Sequence, residues 1–166
     1  MVITTARLNI RKLRVDDAPF MCALLNDDEW RRFISDQGKR TIGDAVNYIK
    51  KGPMASYQKF GFGLFLVELK TEVPIGICGF IKRDYLEDVD IGFAFLPQFR
   101  KKGYAVEAAS AVLCYGKQHL GIYRVLAITQ EDNTNSIKVL QKIGLVFERQ
   151  IVSDTGQELQ LYSMCF

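Results

Sequence analysis

The sequence predicts a mixed α/β fold built on a largely antiparallel meander. Three observations carry this. Short apolar runs bounded by turn residues recur through the middle and the end of the chain. Two stretches near the start have helical periodicity instead. Around residues 89–129 a strand-like run leads through a helix-like run to another strand, which predicts a right-handed parallel crossover. The 166 residues suit one domain with a sizeable core, so 1–166 is read as a single domain.

Each element has a local cause. Arg7 to Leu13 alternates apolar and polar residues and reads as a strand. Asp16 and Asp17 offer an N-cap and a negative first turn to a helix carrying Phe20, Met21, Leu24 and Leu25. Thr41-Ile42-Gly43-Asp44 is a capping-box start for a helix with the stripe Ile42, Ala45, Val46 and Ile49, which Gly52-Pro53 is expected to stop. Residues 63–69, 73–81 and 89–96 read as strands, with turn chemistry at 70–72 and a mostly polar link at 83–88. A helix follows from Ala105, with Ala109, Val112, Leu113, Gly116 and Leu120 on its apolar face and Gly121 at its end. Residues 124–129 are strand-like, and 136–143 form a short helix closed by Gly144. Residues 146–152 and 159–164 form the last strands, joined by a turn at Asp154-Thr155-Gly156.

Composition narrows the function classes. A hydrophobic fraction of 48%, a charged fraction of 25% and a net charge of +3 are ordinary for a soluble protein and argue against a nucleic-acid partner. Cys22, Cys78, Cys114 and Cys165 are scattered without metal-ligand spacing, so neither zinc nor a disulfide framework is expected. Reduced thiols, no secretion leader and no apolar run of about 18 residues point to a cytoplasmic chain with no membrane partner. The single histidine, His119, has no elbow motif at any serine to serve it in a nucleophilic triad.

The most informative stretch is Arg100-x-x-Gly103-x-Ala105, a loop of cations and small residues opening a helix. Backbone N–H groups at a helix start bind anions, and the helix dipole adds to this. Gly103 permits close approach of a phosphate, and Arg100, Lys101 and Lys102 add positive charge. The pattern reads as a diphosphate cradle.

This loop, the preceding Val89-Asp90-Ile91-Gly92-Phe93, the opening Ala6-Arg7-Leu8-Asn9-Ile10-Arg11 and the later Asn133-Thr134-Asn135-Ser136 through Gly144 resemble the GNAT superfamily of N-acetyltransferases. The resemblance is greatest to the branch that acetylates the N-termini of ribosomal proteins. It implies a seven-stranded, mostly antiparallel sheet, about four flanking helices, and a V-shaped splay between the fourth and fifth strands. It implies acetyl-CoA as cosubstrate and no metal, with the diphosphate on backbone N–H groups from Lys101 through Lys102, Gly103 and Tyr104 to Ala105. A backbone N–H of Ala94 or Phe95 would polarise the thioester carbonyl.

Other site residues carry two readings each. Asn133 and Ser136 are helix-cap residues; in this branch Asn133 also contacts the cofactor and Ser136 lies near the leaving thiolate. Relatives place a tyrosine acid where this chain has Leu140, which cannot donate a proton. Asp90 is the candidate base, against a solvated or salt-bridged strand residue, with Glu87 and Glu131 behind it. Glu107 reads as structural, and relatives often have glycine in place of Lys101. Trp30, Arg31, Arg32 and Phe33 line an acceptor pocket or staple two helices; Lys138 and Lys142 attract phosphate or form a solvated face.

The implied activity is direct acetyl transfer to a primary amine, either a protein N-terminus or a small molecule, in a monomer or homodimer. The alternative from another class is a non-catalytic CoA-binding module. A polycationic acceptor would need converging carboxylates, for which only Asp27, Asp28 and Glu29 offer themselves near the pocket.

Overall fold

The computed structural model describes residues 1–166. Eight strands form one sheet: β1 Ile3–Thr4, β2 Leu8–Lys12, β3 Leu64–Leu69, β4 Pro74–Ile81, β5 Asp90–Phe95, β6 Arg124–Thr129, β7 Val146–Val152 and β8 Glu158–Cys165. Their spatial order is β1-β2-β3-β4-β5-β6-β8-β7. The eighth strand beyond the expected seven is β1, two residues that pair with Asn9 and Ile10 of β2. Every neighbouring pair is antiparallel except β5 and β6.

Six α-helices flank the sheet: α1 Ala18–Leu25, α2 Asp28–Phe33, α3 Ile42–Ile49, α4 Ala55–Phe60, α5 Tyr104–His119 and α6 Thr134–Lys142. Strand alternation sends successive side chains to opposite faces. Phe65, Val67, Cys78, Phe80 and Ile91 pack with Ala108, Ala109 and Val112 of α5. Leu66, Ile77 and Ala94 face the other way, onto Met21, Leu24, Ala45 and Ile49 of α1 and α3. The crossover β5–α5–β6 is the predicted parallel unit. No helix is long and apolar enough to cross a membrane.

Several starts and stops follow the expected chemistry. Thr41 and Asp44 form the reciprocal capping box of α3, with bonds of 3.1 and 2.8 Å. Gly121 and Gly144 adopt φ values of 65° and 102° just beyond α5 and α6.

Four local expectations are corrected. Gly52-Pro53 does not stop the second helical stretch: the chain widens into one π-type turn over Lys50–Met54 and continues as α4. Widening the turn accommodates a residue with no N–H to donate. The Tyr57 hydroxyl then fastens α4 by donating to the Leu64 carbonyl and accepting from the Leu13 N–H. Trp30 to Phe33, assigned to no element in sequence, are most of a short helix, α2, capped by Asp27. Asp17 does not cap α1; Arg11 grips both its carboxylate oxygens at 2.8 and 2.9 Å. At α6 the cap is Asn133, whose side-chain oxygen accepts the Ser136 N–H at 3.3 Å. Ser136 is therefore the capped residue, and its hydroxyl makes no hydrogen bond to protein.

Stability measurements by urea titration test these assignments. Asn133→Ala is expected to cost about 1 kcal/mol and Ser136→Ala close to nothing. Gly116→Ala places a Cβ 2.5 Å from a ring carbon of buried Phe80 and is expected to cost about 1–3 kcal/mol. Gly52→Ala meets nothing within 4 Å and should be neutral.

Candidate active site

Strands β5 and β6 share a single ladder pair, Asp90 with Leu126, supported by the bond from Leu126 N–H to the Val89 carbonyl at 2.9 Å. Beyond this vertex the strands part. This is the expected splay, displaced in count by the added first strand. It opens a cleft of about 1400 Å³, walled by both strands, by α2 and α3, and by the starts of α5 and α6.

The alternation of the β4–β5 ladder decides which backbone groups face the opening. Leu96 donates to the Ile75 carbonyl, so Leu96, Ala94 and Gly92 point their N–H groups at β4. The N–H groups of Phe93 and Phe95 point toward the parted strand. Of the two expected oxyanion donors, Phe95 faces the cleft and Ala94 faces β4.

At the other end of β5 a 3-10 turn, Pro97–Phe99, leads into the loop before α5. Lys101 sits at φ 61° and Gly103 at φ 82°. The left-handed position of Lys101 is where a glycine would be unstrained. The N–H groups of Lys101, Lys102, Gly103, Tyr104, Ala105 and Val106 donate to no protein acceptor, and no side chain caps α5. Six adjacent unspent donors at the start of a 16-residue helix fit a phosphorylated ligand. Arg100, Lys101, Gly103, Tyr104 and Ala105 line the cleft; Lys102 does not, and turns its carbonyl to Arg7.

Two guanidinium groups brace this loop from opposite sides. Arg7 donates to the Lys102 carbonyl at 3.0 Å, pairs with Glu107 at 2.6 Å, and lies 4.4 Å over the Tyr104 ring. Burial pushes the Glu107 carboxyl up, but bonds from Thr5 and Arg7 outweigh it and hold the group below its usual range. Glu107 is thus structural, as its sequence position implied. Arg100 does not extend toward the free N–H groups. It pairs with Asp27, the α2 cap, and with Glu29 at 3.3 Å.

At the vertex, Asp90 is 1% exposed, and Nε of Arg83 reaches its two oxygens at 3.1 and 3.2 Å. Burial raises the Asp90 carboxyl to about 6 against the pull of Arg83. Asp90, Asn133, Ser136, Lys138, Leu140 and Lys142 all border the cleft. Leu140 is buried at its wall. Trp30 and Phe33 border it too, whereas Arg31 and Arg32 face out to Asp36 and Asp132. Glu87 pairs with Arg124 outside the cleft, Glu131 does not border it, and His119 stacks on Tyr115.

Sequence reasoning missed Arg7, Arg83, Arg40 and Tyr48. Arg83 lay in a stretch read only as a polar link, and the Arg7–Glu107 bond spans 100 residues. No group of three or more metal-ligating side chains is present.

The chain matches the acetyltransferase (GNAT) domain family over residues 7–146. The uncharacterized N-acetyltransferase YnaD of Bacillus subtilis (strain 168) is 32% identical over 145 residues, covering 87% of this chain and 82% of that protein. The crystal structure of a GNAT-family acetyltransferase from Bacillus anthracis is 29% identical with a TM-score of 0.83, covering 99% of this chain and 98% of that one. RimL, a ribosomal L7/L12 alpha-N-protein acetyltransferase solved with coenzyme A, shares the fold at a TM-score of 0.85 and 14% identity, covering 99% and 97% of the two chains. Splayed strands, a helix start with unspent donors and these likenesses converge: the chain belongs to the GNAT acetyltransferase family and is an N-acetyltransferase.

Proposed function

We propose that this chain, acting as one domain over residues 1–166, transfers the acetyl group of acetyl-CoA to a primary amine entering at the vertex of the splay. The observation that carries this reading is the run of six backbone N–H groups from Lys101 to Val106 with no protein acceptor. Acetyl-CoA, when bound, supplies an activated thioester and anionic phosphates.

The loop donors hold the diphosphate, and Lys101, Lys138 and Lys142 add charge around it. Arg100 acts in this reading as a strut between loop and α2 rather than as a phosphate ligand. The Phe95 N–H, aimed into the splay by the ladder, polarises the acetyl carbonyl, with Phe93 next to it. The Asn133 side-chain oxygen is spent on its cap, so its NH2 group is the one left for the pantetheine arm.

Asp90 takes up the amine proton through intervening water, because Phe95 lies at the other end of β5, about 16 Å along the strand. A carboxyl near 6 is ionised at neutral pH yet closer to it than an ordinary aspartate. Ser136, with an unspent hydroxyl at the cleft wall, is the protein's proton donor to the leaving thiol in place of the absent tyrosine. A protein N-terminus, as RimL's name states for its own substrate, and a small amine are both compatible with an open cleft of this volume. Four unpaired thiols suit a reducing, cytoplasmic compartment.

Gly103→Glu is expected to raise the calorimetric Kd for acetyl-CoA about 100-fold, because the added side chain is strained at φ 82° and carries the wrong charge. An unchanged Kd removes the diphosphate site. Asp90→Asn is expected to lower kcat/KM about 100-fold and to erase the limb near pH 6 in its pH profile. Stability gives a second reading. The folded chain holds the Asp90 proton more tightly than the unfolded chain does. Wild-type stability therefore loses about 3 kcal/mol from this group as pH rises from about 4 to about 6. Asp90→Asn removes that loss, so urea titrations should show the variant gaining on wild type across this window.

A further inference from the structure

The two ends of the cleft differ in charge chemistry. Its bordering carboxylates are Asp27, Glu29, Asp44 and Asp90, and each already has a partner. Asp27 accepts from the Glu29 and Trp30 N–H groups and from Arg100. Glu29 also faces Arg100. Asp44 accepts the Thr41 N–H, and Asp90 holds Arg83. Only Asp44 lacks an ion-pair partner, and the charge of Arg40 already acts on it, so an acceptor with several positive charges finds little to pair with here.

The vertex end holds the opposite surplus. Arg83 gives its Nε to Asp90, and its Nη groups, beside the Tyr85 hydroxyl, make no ion pair of their own. The Arg40 guanidinium makes no hydrogen bond or ion pair with the protein. The Tyr48 hydroxyl also lacks a partner, while its ring stands edge-on to Trp30 at 5.9 Å. All three side chains border the cleft, and Lys51 and Lys59, neither of them in an ion pair, border it too. Burial pushes the Tyr48 phenol up to about 12, and the charges of Arg83 and Arg40, which line the same cleft, pull it back. Two guanidinium forks and a hydroxyl around one cleft match a carboxylate or phosphate, which accepts several donors at once.

We propose that Arg40, Arg83 and Tyr48 form an anion clamp at the vertex of the splay, and that the acceptor is a primary amine carrying a carboxylate or phosphate group. The amine half of this proposal rests on the acetyl-transfer reading; the clamp stands as a binding site without it.

Matched amines test the selectivity by thiol release from acetyl-CoA: aminoethyl phosphate against ethanolamine, 4-aminobutyrate against butylamine, and spermidine. At least one anionic amine is expected to exceed its neutral partner in kcat/KM by about tenfold or more. A phosphate pair responding alone names a phosphorylated acceptor; a carboxylate pair alone names an amino-acid-like one. In Arg40→Gln the ratio should fall about tenfold, and in Arg40→Lys by less, because the charge remains and the fork is lost. Ratios near one in both pairs, or spermidine as the best acceptor, overturn the clamp.

Trp30, the sole tryptophan, reports occupancy without chemistry. With coenzyme A present to fill the loop, methyl phosphate or butyrate should change its fluorescence saturably, at about tenfold higher concentration in Arg40→Gln. No saturable change with either probe overturns the clamp. Saturable binding of a probe without turnover of any amine keeps the clamp and removes the acetyl-transfer reading.

Discussion

The structure depends on one interruption: β5 and β6 pair only at Asp90 and Leu126 and then separate. Backbone N–H and C=O groups inside a sheet are ordinarily spent on neighbours. Parting two central strands leaves those of Phe93, Phe95 and the facing strand to be satisfied by something else. The sheet tolerates this because both strands are held from outside, β5 by the full β4 ladder and β6 by β8. The crossover helix α5 then has to begin at the wide end of the splay, which sets its unspent N–H groups beside the opening.

That helix start is held in shape by charge pairs that point away from the ligand side. Arg7 ties the loop to Glu107 of α5, and Arg100 ties it to Asp27 and Glu29 of α2. The left-handed Lys101 stores a backbone cost that these braces must outweigh. A loop fixed before its ligand arrives loses little entropy on binding. The Arg100 strut also joins the loop to the helix that carries Trp30, so the two ends of the cleft share a mechanical element.

Charge is divided along the same axis. The loop end has backbone donors and lysines, suited to a diffuse polyanion. The vertex end has one deeply buried carboxylate and the Arg83 guanidinium that holds it. Burial works against the ionised Asp90 and Arg83 works for it, and burial prevails. That balance leaves a carboxyl near 6 in the same cleft as cationic side chains outside any ion pair.

The sequence by itself determined the order of the seven longer strands and the helices between them other than α2 and α4, the parallel crossover, and the helix ends that depend on neighbours within four residues, such as Thr41–Asp44 and the glycines after α5 and α6. It also determined the loop of cations and glycine at a helix start, because those features are all local. Its errors were local rules overridden by context: Pro53 was absorbed by a widened turn, and Asp17 was taken by Arg11 before it could cap a helix. Tertiary structure alone decided the partners of the charges. Arg100 reads as a phosphate ligand until Asp27, 73 residues away, is seen to hold it. Asp90 is picked out in sequence as a candidate base, but only burial and Arg83 set its proton affinity, and Arg40 and Tyr48 give no signal until the fold sets them along the same cleft. The physical reason is range: capping and turn chemistry act within a few bonds, whereas burial and ion pairing depend on which distant segments the fold brings into contact.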